Sequence, residues 1–265
     1  MSERYAVIGH PVAHSKSPLI HTEFARATGQ DIEYRRIEVA RDGFRRAVDE
    51  FRAAGGKGLN VTLPFKHEAF EYCGEASERA RAAEVVNTLD FRDTVFGDNT
   101  DGVGLVRDLE RNLHFDLRSG RALVMGAGGA AHGVIGALRE AGVAQLVIVN
   151  RTVAKAQALA ARFPRTRGCG YEELGDESFG LIINATSASL LDAAPPLPAS
   201  AFGRAALAYD MVYGRETPFL AAARAAGARV SDGLGMLVEQ AAESFFVWRG
   251  VRPDTAPVLR KLRGG

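Results

Sequence analysis

Residues 121–155 constrain this chain more than any other stretch, because they read as a strand, a glycine turn, a helix and a second strand with a basic end. The apolar run Leu123, Val124, Met125 suits a strand buried on both faces of a parallel sheet. Gly126-Ala127-Gly128-Gly129-Ala130-Ala131 follows. Gly126 permits a tight turn, Gly128 lets a pyrophosphate approach the backbone, and Ala131 stands where a small residue packs helix on strand. A helix over residues 130–141 then points its N-terminal amides, and the positive end of its dipole, at that phosphate. Alone, such glycine spacing also serves as a plain structural turn. The context favours a nucleotide. The next strand, residues 145–149, ends in Asn150-Arg151-Thr152, where a carboxylate would hold the ribose 2′-hydroxyl of NAD. An arginine there, with Lys155 one turn on, suits a 2′-phosphate, so the residues favour NADP(H) over NAD(H).

At 265 residues the chain has room for two modest domains or one large one. A net charge of +1 provides no basic field for nucleic acid and no acidic tail. Cys73 and Cys169 lie far apart without metal-ligand spacing, and read as ordinary thiols in a reducing compartment. The N-terminus lacks the apolar core of a signal peptide, and no apolar run approaches the length that spans a bilayer. The expected location is the cytoplasm, with no membrane partner.

Taken in order, residues 5–9 form a short strand, and Ser17 caps a helix that Pro18 begins and Gly29 closes. That helix is expected to turn Leu19, Ile20, Phe24 and Ala27 to a core. Ser15 and Lys16 also crowd its N-terminus, and two hydroxyls beside free amides could hold a small anion such as a carboxylate. Residues 31–39 read as a strand and 41–54 as a helix; then Leu59, Val61 and Leu63 alternate with Asn60 and Thr62, with Lys66 at the mouth. Residues 85–89 suggest another strand, 95–102 a polar turn, and 103–115 a helix leading to the nucleotide-binding half. Beyond it come a helix over 152–163, a strand over 179–184 and a strand over 206–211. Further helices follow over 217–226 and from Gly235 to about Trp248. Strands alternating with helices imply an α/β fold with a doubly wound parallel sheet, whose ligands sit at the carboxyl ends of the strands. Gly126, Asn150, Asn184 and Asp210 mark those ends.

A hydride exchanged with a carbinol or ketone carbon requires a group that exchanges a proton with the oxygen. Lys66 and Asp101 are the candidates, each set among short polar residues; in contact they could hold a hydroxyl and titrate as one unit. Solvated surface charges remain the alternative for both. The histidines are weaker candidates: His10 and His14 flank a proline loop, His67, His114 and His132 have no visible partners in the sequence, and no zinc spacing is present.

Six ordered blocks of sequence carry a wider likeness. They are residues 9–18 (GHPVAHSKSP), 60–66 (NVTLPFK), 99–102 (NTDG), 126–130 (GAGGA), 150–152 (NRT) and 235–240 (GMLVEQ). Together, over nearly the whole chain, they resemble the shikimate dehydrogenase family. The resemblance implies reduction of 3-dehydroshikimate to shikimate with NADPH, in aromatic amino-acid biosynthesis. It implies an N-terminal α/β substrate domain and a Rossmann-type NADP domain with a cleft between them. The expected substrate domain is 1–103 with 236–265, the C-terminal helices returning to it, and the NADP domain 104–235. By the same resemblance Ser15 and Ser17 bind the substrate carboxylate, with Tyr213 near that end. Asn60, Thr62, Asn87, Asp101 and Gln240 bind ring hydroxyls, and Lys66 with Asp101 is the catalytic pair. Gly126, Ala127, Gly128, Gly129, Ala130, Asn150, Arg151, Thr152, Lys155, Thr186, Met211 and Gly235 match cofactor contacts, as does Glu78. No metal is implied, and a monomer and a homodimer are both compatible. Gln240 alone would read as the solvated side of a helix whose packed stripe is Leu234, Val238, Ala241, Phe245 and Trp248.

Two departures stand out. Ser189 replaces a glycine usual after Asn184-Ala-Thr-Ser, and a serine reaches positive φ less easily. Glu84-Val-Val-Asn87 replaces Gly-Ala-Val-Asn, which leaves Asn87 in place. The rival readings are a relative that also oxidises quinate or accepts NAD, and a non-catalytic nucleotide-binding regulator.

Overall fold

The structure is a computed structural model that describes residues 2–92, 94–187 and 196–264; Ser189 lies outside the described residues. The chain forms two compact units, residues 1–105 with 237–265 and residues 106–236.

The first unit opens with β1 (Glu3–Gly9), α1 (Ser17–Thr28), β2 (Ile32–Glu38), α2 (Phe44–Ala53) and β3 (Gly56–Val61). It continues with α3 (Lys66–Tyr72), β4 (Glu75–Ala76), α4 (Glu78–Ala83), β5 (Thr88–Asp90), β6 (Phe96–Asp98) and the start of α5 (Asp101–Arg107). Its strands lie in the order β2-β1-β3-β5-β6-β4. The first three are mutually parallel, whereas β5 runs antiparallel to both β3 and β6. Both faces of β1 and β3 are covered. Ala6, Ile8, Leu59 and Val61 pack with Phe44 and Phe65 on one side, while Tyr5 and Val7 pack with Tyr34 and Trp248 on the other.

The second unit holds β7 (Arg121–Met125), α6 (Gly129–Glu140), β8 (Gln145–Val149), α7 (Val153–Ala160), β9 (Thr166–Cys169), β10 (Phe179–Asn184), β11 (Phe202–Asp210), α8 (Pro218–Ala225) and β12 (Arg229–Asp232). The strand order β12-β11-β10-β7-β8-β9, with every pairing parallel, is the doubly wound sheet expected from the alternation of strands and helices. The winding reverses between β7 and β10, so the Gly126 turn and Asn184 stand at the switch point where such sheets bind ligands. From there α9 (Leu234–Arg249) and α10 (Ala256–Leu262) complete the chain.

Several local expectations give way to the structure. Ser17 is the first helical residue of α1, and Lys16 occupies the cap position without a side-chain cap bond. The Ser17 amide instead donates to Ser15 Oγ at 3.3 Å. Leu19 is 41 % exposed and Ala27 also faces solvent; His21 and Ala25 are buried with Ile20 and Phe24. The helix expected over 103–115 begins at Asp101 and gives way after Arg107 to a π-turn over Asp108–Asn112. Residues 85–87 lie outside any strand, and the polar turn over 95–102 contains β6. Gly29, by contrast, closes α1 with φ 65°, as expected of a left-handed C-terminal glycine.

Candidate active site

In the first unit one connected polar network joins five of the residues singled out from sequence. The Lys66 ammonium, at the start of α3, pairs with Asp101 Oδ2 at the start of α5; the two side chains are only 14 % and 6 % exposed. A buried charge pair is tolerated only where hydrogen bonds satisfy its remaining atoms. Here Asn87 Nδ2 donates to Asp101 Oδ1 at 2.9 Å, and the Asp101 amide donates to Asn99 Oδ1 at 3.0 Å. Asn87 is fixed in turn: its amide oxygen accepts from the Thr100 amide at 2.8 Å and from Thr88 Oγ1 at 2.9 Å. Asn87 Nδ2 also approaches Gln240 Oε1 at 3.2 Å, and Gln240 Nε2 donates to the Leu237 carbonyl at 2.8 Å. Gln240 is buried, because α9 is packed on almost every side: Glu239, Glu243 and Ser244 are buried along with its apolar stripe.

Asn60, on β3, is oriented by three elements. Its amide oxygen accepts from the Tyr34 hydroxyl at 2.6 Å, and its amide nitrogen donates to Ser244 Oγ at 2.9 Å and to Thr88 Oγ1 at 3.3 Å. Burial pushes the Tyr34 phenol well above its ordinary pKa, opposed by the Ser17 hydroxyl beside it. His21 stacks on Tyr34, with ring centroids 4.3 Å apart and planes within 5°. Neither of its ring nitrogens makes a hydrogen bond, although the Asn60 amide lies close, and burial pulls its pKa down to about 3. Trp248 closes this cluster, donating from Nε1 to the Leu89 carbonyl at 2.9 Å.

Ser15 and Ser17 form a pair of their own. Ser15 Oγ lies 3.2 Å from Ser17 Oγ, and both residues are buried at the start of α1, whose first turn carries no acidic side chain. Thr62 is half-buried, one residue beyond β3, and its hydroxyl is not part of the network. Glu78 begins α4 and is exposed in this same unit.

The second unit holds the nucleotide-type turn. Gly126 has φ +105°, and a Cβ there would stand 3.1 Å from the Ala185 carbonyl oxygen. Gly128 caps α6 with φ −100° and ψ −177°, and a Cβ there would meet nothing within 4 Å. The two glycines therefore differ. The first is required by the backbone, whereas the second leaves open space above amides that have no helical partner, which fits a pyrophosphate. Helix α6 starts at Gly129, one residue earlier than expected. Past β8, Asn150 Nδ2 donates to the Thr152 carbonyl at 2.9 Å, while Arg151, Thr152 and Lys155 are exposed. No described carboxylate pairs with Arg151 or Lys155, so both cations are available to a phosphate. Thr186 is anchored to Asn184 Oδ1 through both its amide (3.1 Å) and its hydroxyl (2.7 Å). The Met211 amide donates to the Asn184 carbonyl at 3.0 Å, and Tyr213 follows, half-buried, in this unit. At the start of α9 the buried Asp108 carboxylate accepts from the Tyr209 hydroxyl at 2.6 Å and fills the place that a Cβ on Gly235 would occupy. Tyr209 also receives the Met236 amide at 3.3 Å.

Sequence reasoning passed over Tyr34, His21, Thr88, Thr100 and Ser244, which hold the named residues in place. Ser244 had a readable signal, since it lies one turn beyond Gln240 on one helix face. Among the described residues no group of His, Cys, Asp or Glu is placed to hold a metal ion, and no helix is long and apolar enough to cross a membrane.

Three family descriptions match the chain: shikimate dehydrogenase substrate binding domain over residues 7–89, shikimate / quinate 5-dehydrogenase over 108–191, and shikimate 5′-dehydrogenase C-terminal domain over 233–263. A shikimate dehydrogenase (NADP(+)) from Methylobacillus flagellatus is 55 % identical over 267 residues, covering 98 % of this chain and 99 % of the relative. The crystal structure of an Ael1 enzyme from Pseudomonas putida is 52 % identical, with a TM-score of 0.93 over 98 % of both chains. A Thermus thermophilus shikimate 5-dehydrogenase, solved in complex with NADP(H) and shikimate, is 36 % identical, with a TM-score of 0.88 over 98 % of both chains.

Proposed function

The chain belongs to the shikimate dehydrogenase family, and from that premise we propose that it catalyses the reversible, NADPH-dependent reduction of 3-dehydroshikimate to shikimate in aromatic amino-acid biosynthesis. The observation that carries the reading is the buried Lys66–Asp101 pair, held by Asn87 in a network of short polar side chains. Substrate recognition belongs to the first unit and NADP(H) to the second. The carboxylate is held by Ser15 and Ser17, and the ring hydroxyls by Asn60, Thr62, Asn87, Asp101 and Gln240. The amides of residues 126–130 would hold the pyrophosphate of NADP(H), and Arg151, Thr152 and Lys155 its 2′-phosphate. Asn150, Thr186, Met211 and Gly235 would complete its surroundings.

When bound, NADPH supplies a hydride to the ketone carbon. The Lys66 ammonium gives a proton to the oxygen of that ketone as it becomes a hydroxyl, and in the reverse direction takes it back. Asp101 keeps the ammonium in place and accepts from the hydroxyl; Asn87 keeps Asp101 in place. Because the donor acts on charge that develops only in the transition state, the pair contributes to kcat more than to binding. The two free cysteines, Cys73 and Cys169, agree with a cytoplasmic setting.

The test is the initial rate of oxidation, read from nicotinamide absorbance, with shikimate or quinate and NADP+ or NAD+ in all four pairings. Strong turnover with shikimate and NADP+ alone is expected. Comparable rates with quinate or NAD+ would move the chain to the broader quinate/shikimate group. Binding of NADPH without any turnover would make it a regulator.

A further inference from the structure

The two serines offered to a carboxylate carry no charge, and the Ser15 carbonyl is held by an exposed arginine. Arg36 lies on β2, two residues beyond Tyr34, so the two side chains leave the same face of the strand. Tyr34 reaches Asn60, while Arg36 reaches the main chain of the serine loop. Its Nη2 donates to the Ser15 carbonyl at 2.6 Å and its Nε donates to the same oxygen at 3.0 Å. The neighbouring arginine behaves differently: Arg35 leaves the opposite face and is neutralised by Glu33. Arg36 has no carboxylate partner among the described residues. Of the other charged groups on this loop and the strand end, Glu38 lies 3.7 Å from His10, and Lys16 makes no ion pair. A guanidinium has five donors, and two of these are spent on one carbonyl. Arg36 thus brings an uncompensated positive charge to the residue that carries one of the two hydroxyls.

We infer that Arg36 is the positioning residue of the carboxylate subsite: it fixes Ser15 through its carbonyl and supplies the charge that makes an anion, rather than a neutral group, the favoured occupant. This rests on the proposed role of Ser15 and Ser17. The occupant of this subsite is then the carboxylate of the proposed substrate. Its ester should lose the advantage that Arg36 confers.

The experiment compares steady-state oxidation of shikimate and of its uncharged methyl ester by Arg36→Gln, Arg36→Lys, Lys16→Gln and Ser15→Ala. Arg36→Gln should raise KM for shikimate about tenfold with kcat within about twofold, and change KM for the ester by less than about twofold. Arg36→Lys, which keeps the charge, should recover most of the loss. Equal increases for acid and ester would reduce Arg36 to a structural prop and overturn the inference, as would an unchanged KM for shikimate. A larger effect of Lys16→Gln would overturn it too, by assigning the charge to Lys16. If Ser15→Ala leaves KM for shikimate unchanged, the failure lies in the reading of the serines. If Ser15→Ala raises it and Arg36→Gln does not, only Arg36 has been misassigned. Should the glutamine variant fail to fold, Arg36→Met, which also removes the charge, decides by the same comparison, and an acid-to-ester ratio equal to the parent's would overturn the inference.

Discussion

Lys66 and Asp101 illustrate how few atoms separate a structural ion pair from a catalytic one. A pair this buried costs desolvation, and an apolar pair of equal volume could well serve stability better. Its retention among Asn87, Asn99 and Thr100 makes sense if the ammonium must hand a proton to something. Lys66→Ala should therefore lower kcat by about 10²–10⁴-fold with a far smaller rise in KM, measured by steady-state kinetics in both directions. An unchanged kcat would remove Lys66 from the chemistry. His21 makes a different kind of prediction. In the folded chain its imidazole stays neutral down to about pH 3, because burial penalises the cation, whereas unfolded it protonates near its ordinary 6.5. The unfolded state thus binds more protons. Stability from this residue is complete above pH 6.5 and is lost as pH falls toward 3, by up to about 1.4 kcal/mol per unit. His21→Phe should flatten the fall in urea midpoint between about pH 7 and pH 5, and an unaltered slope would mean that another group titrates.

Elements were legible to different depths. Strands β8 and β10 match their sequence-based spans to the residue, since each holds a continuous apolar run, residues 146–149 and 181–183, bounded by polar or glycine residues. Edge strands β9 (TRGC) and β12 (RVSD) carry no such run, and nothing local in them competes with a loop reading; their pairing comes from β8 and β11. The π-turn after Arg107 was equally invisible, because the apolar period of residues 106, 109 and 113 is that of an α-helix. The polar site was half legible. Asn60 and Asn87 stand out as polar interruptions of apolar strands and Lys66 and Asp101 as charges among short polar residues, but their partners Thr88, Thr100 and Ser244 do not, because hydroxyl residues are common everywhere. Helix α6 yields the sharpest test at this scale. Gly128 has a backbone that alanine tolerates and empty space at its Cβ, whereas Gly126 has neither freedom. Gly128→Ala should leave the melting temperature within about 2 °C yet weaken NADPH binding about tenfold or more, read by nucleotide fluorescence. A melting temperature that drops along with affinity would show that Gly128 serves the fold.

At the scale of the whole molecule, each unit has its own core and its own set of proposed ligand contacts. Each ligand should therefore stabilise the protein without the other, by the mass-action term RT ln(1 + [L]/Kd). In thermal shift, Gly128→Ala should cut the gain from NADP+ and keep the gain from shikimate, and Ser15→Ala should do the reverse. Loss of both gains in either variant would contradict this division of labour. The buried contact between Asp108 and Gly235 has a consequence for descent. A side chain at 235 and a carboxylate at 108 claim the same volume, so neither position can drift alone in that direction. Gly235→Ala by itself should abolish stable expression, whereas the same change after Asp108→Ala should be tolerated better than either single effect foretells. The order in which substitutions arrive would then decide which lineages survive, and positions 108 and 235, far apart in the chain, would be inherited as one character.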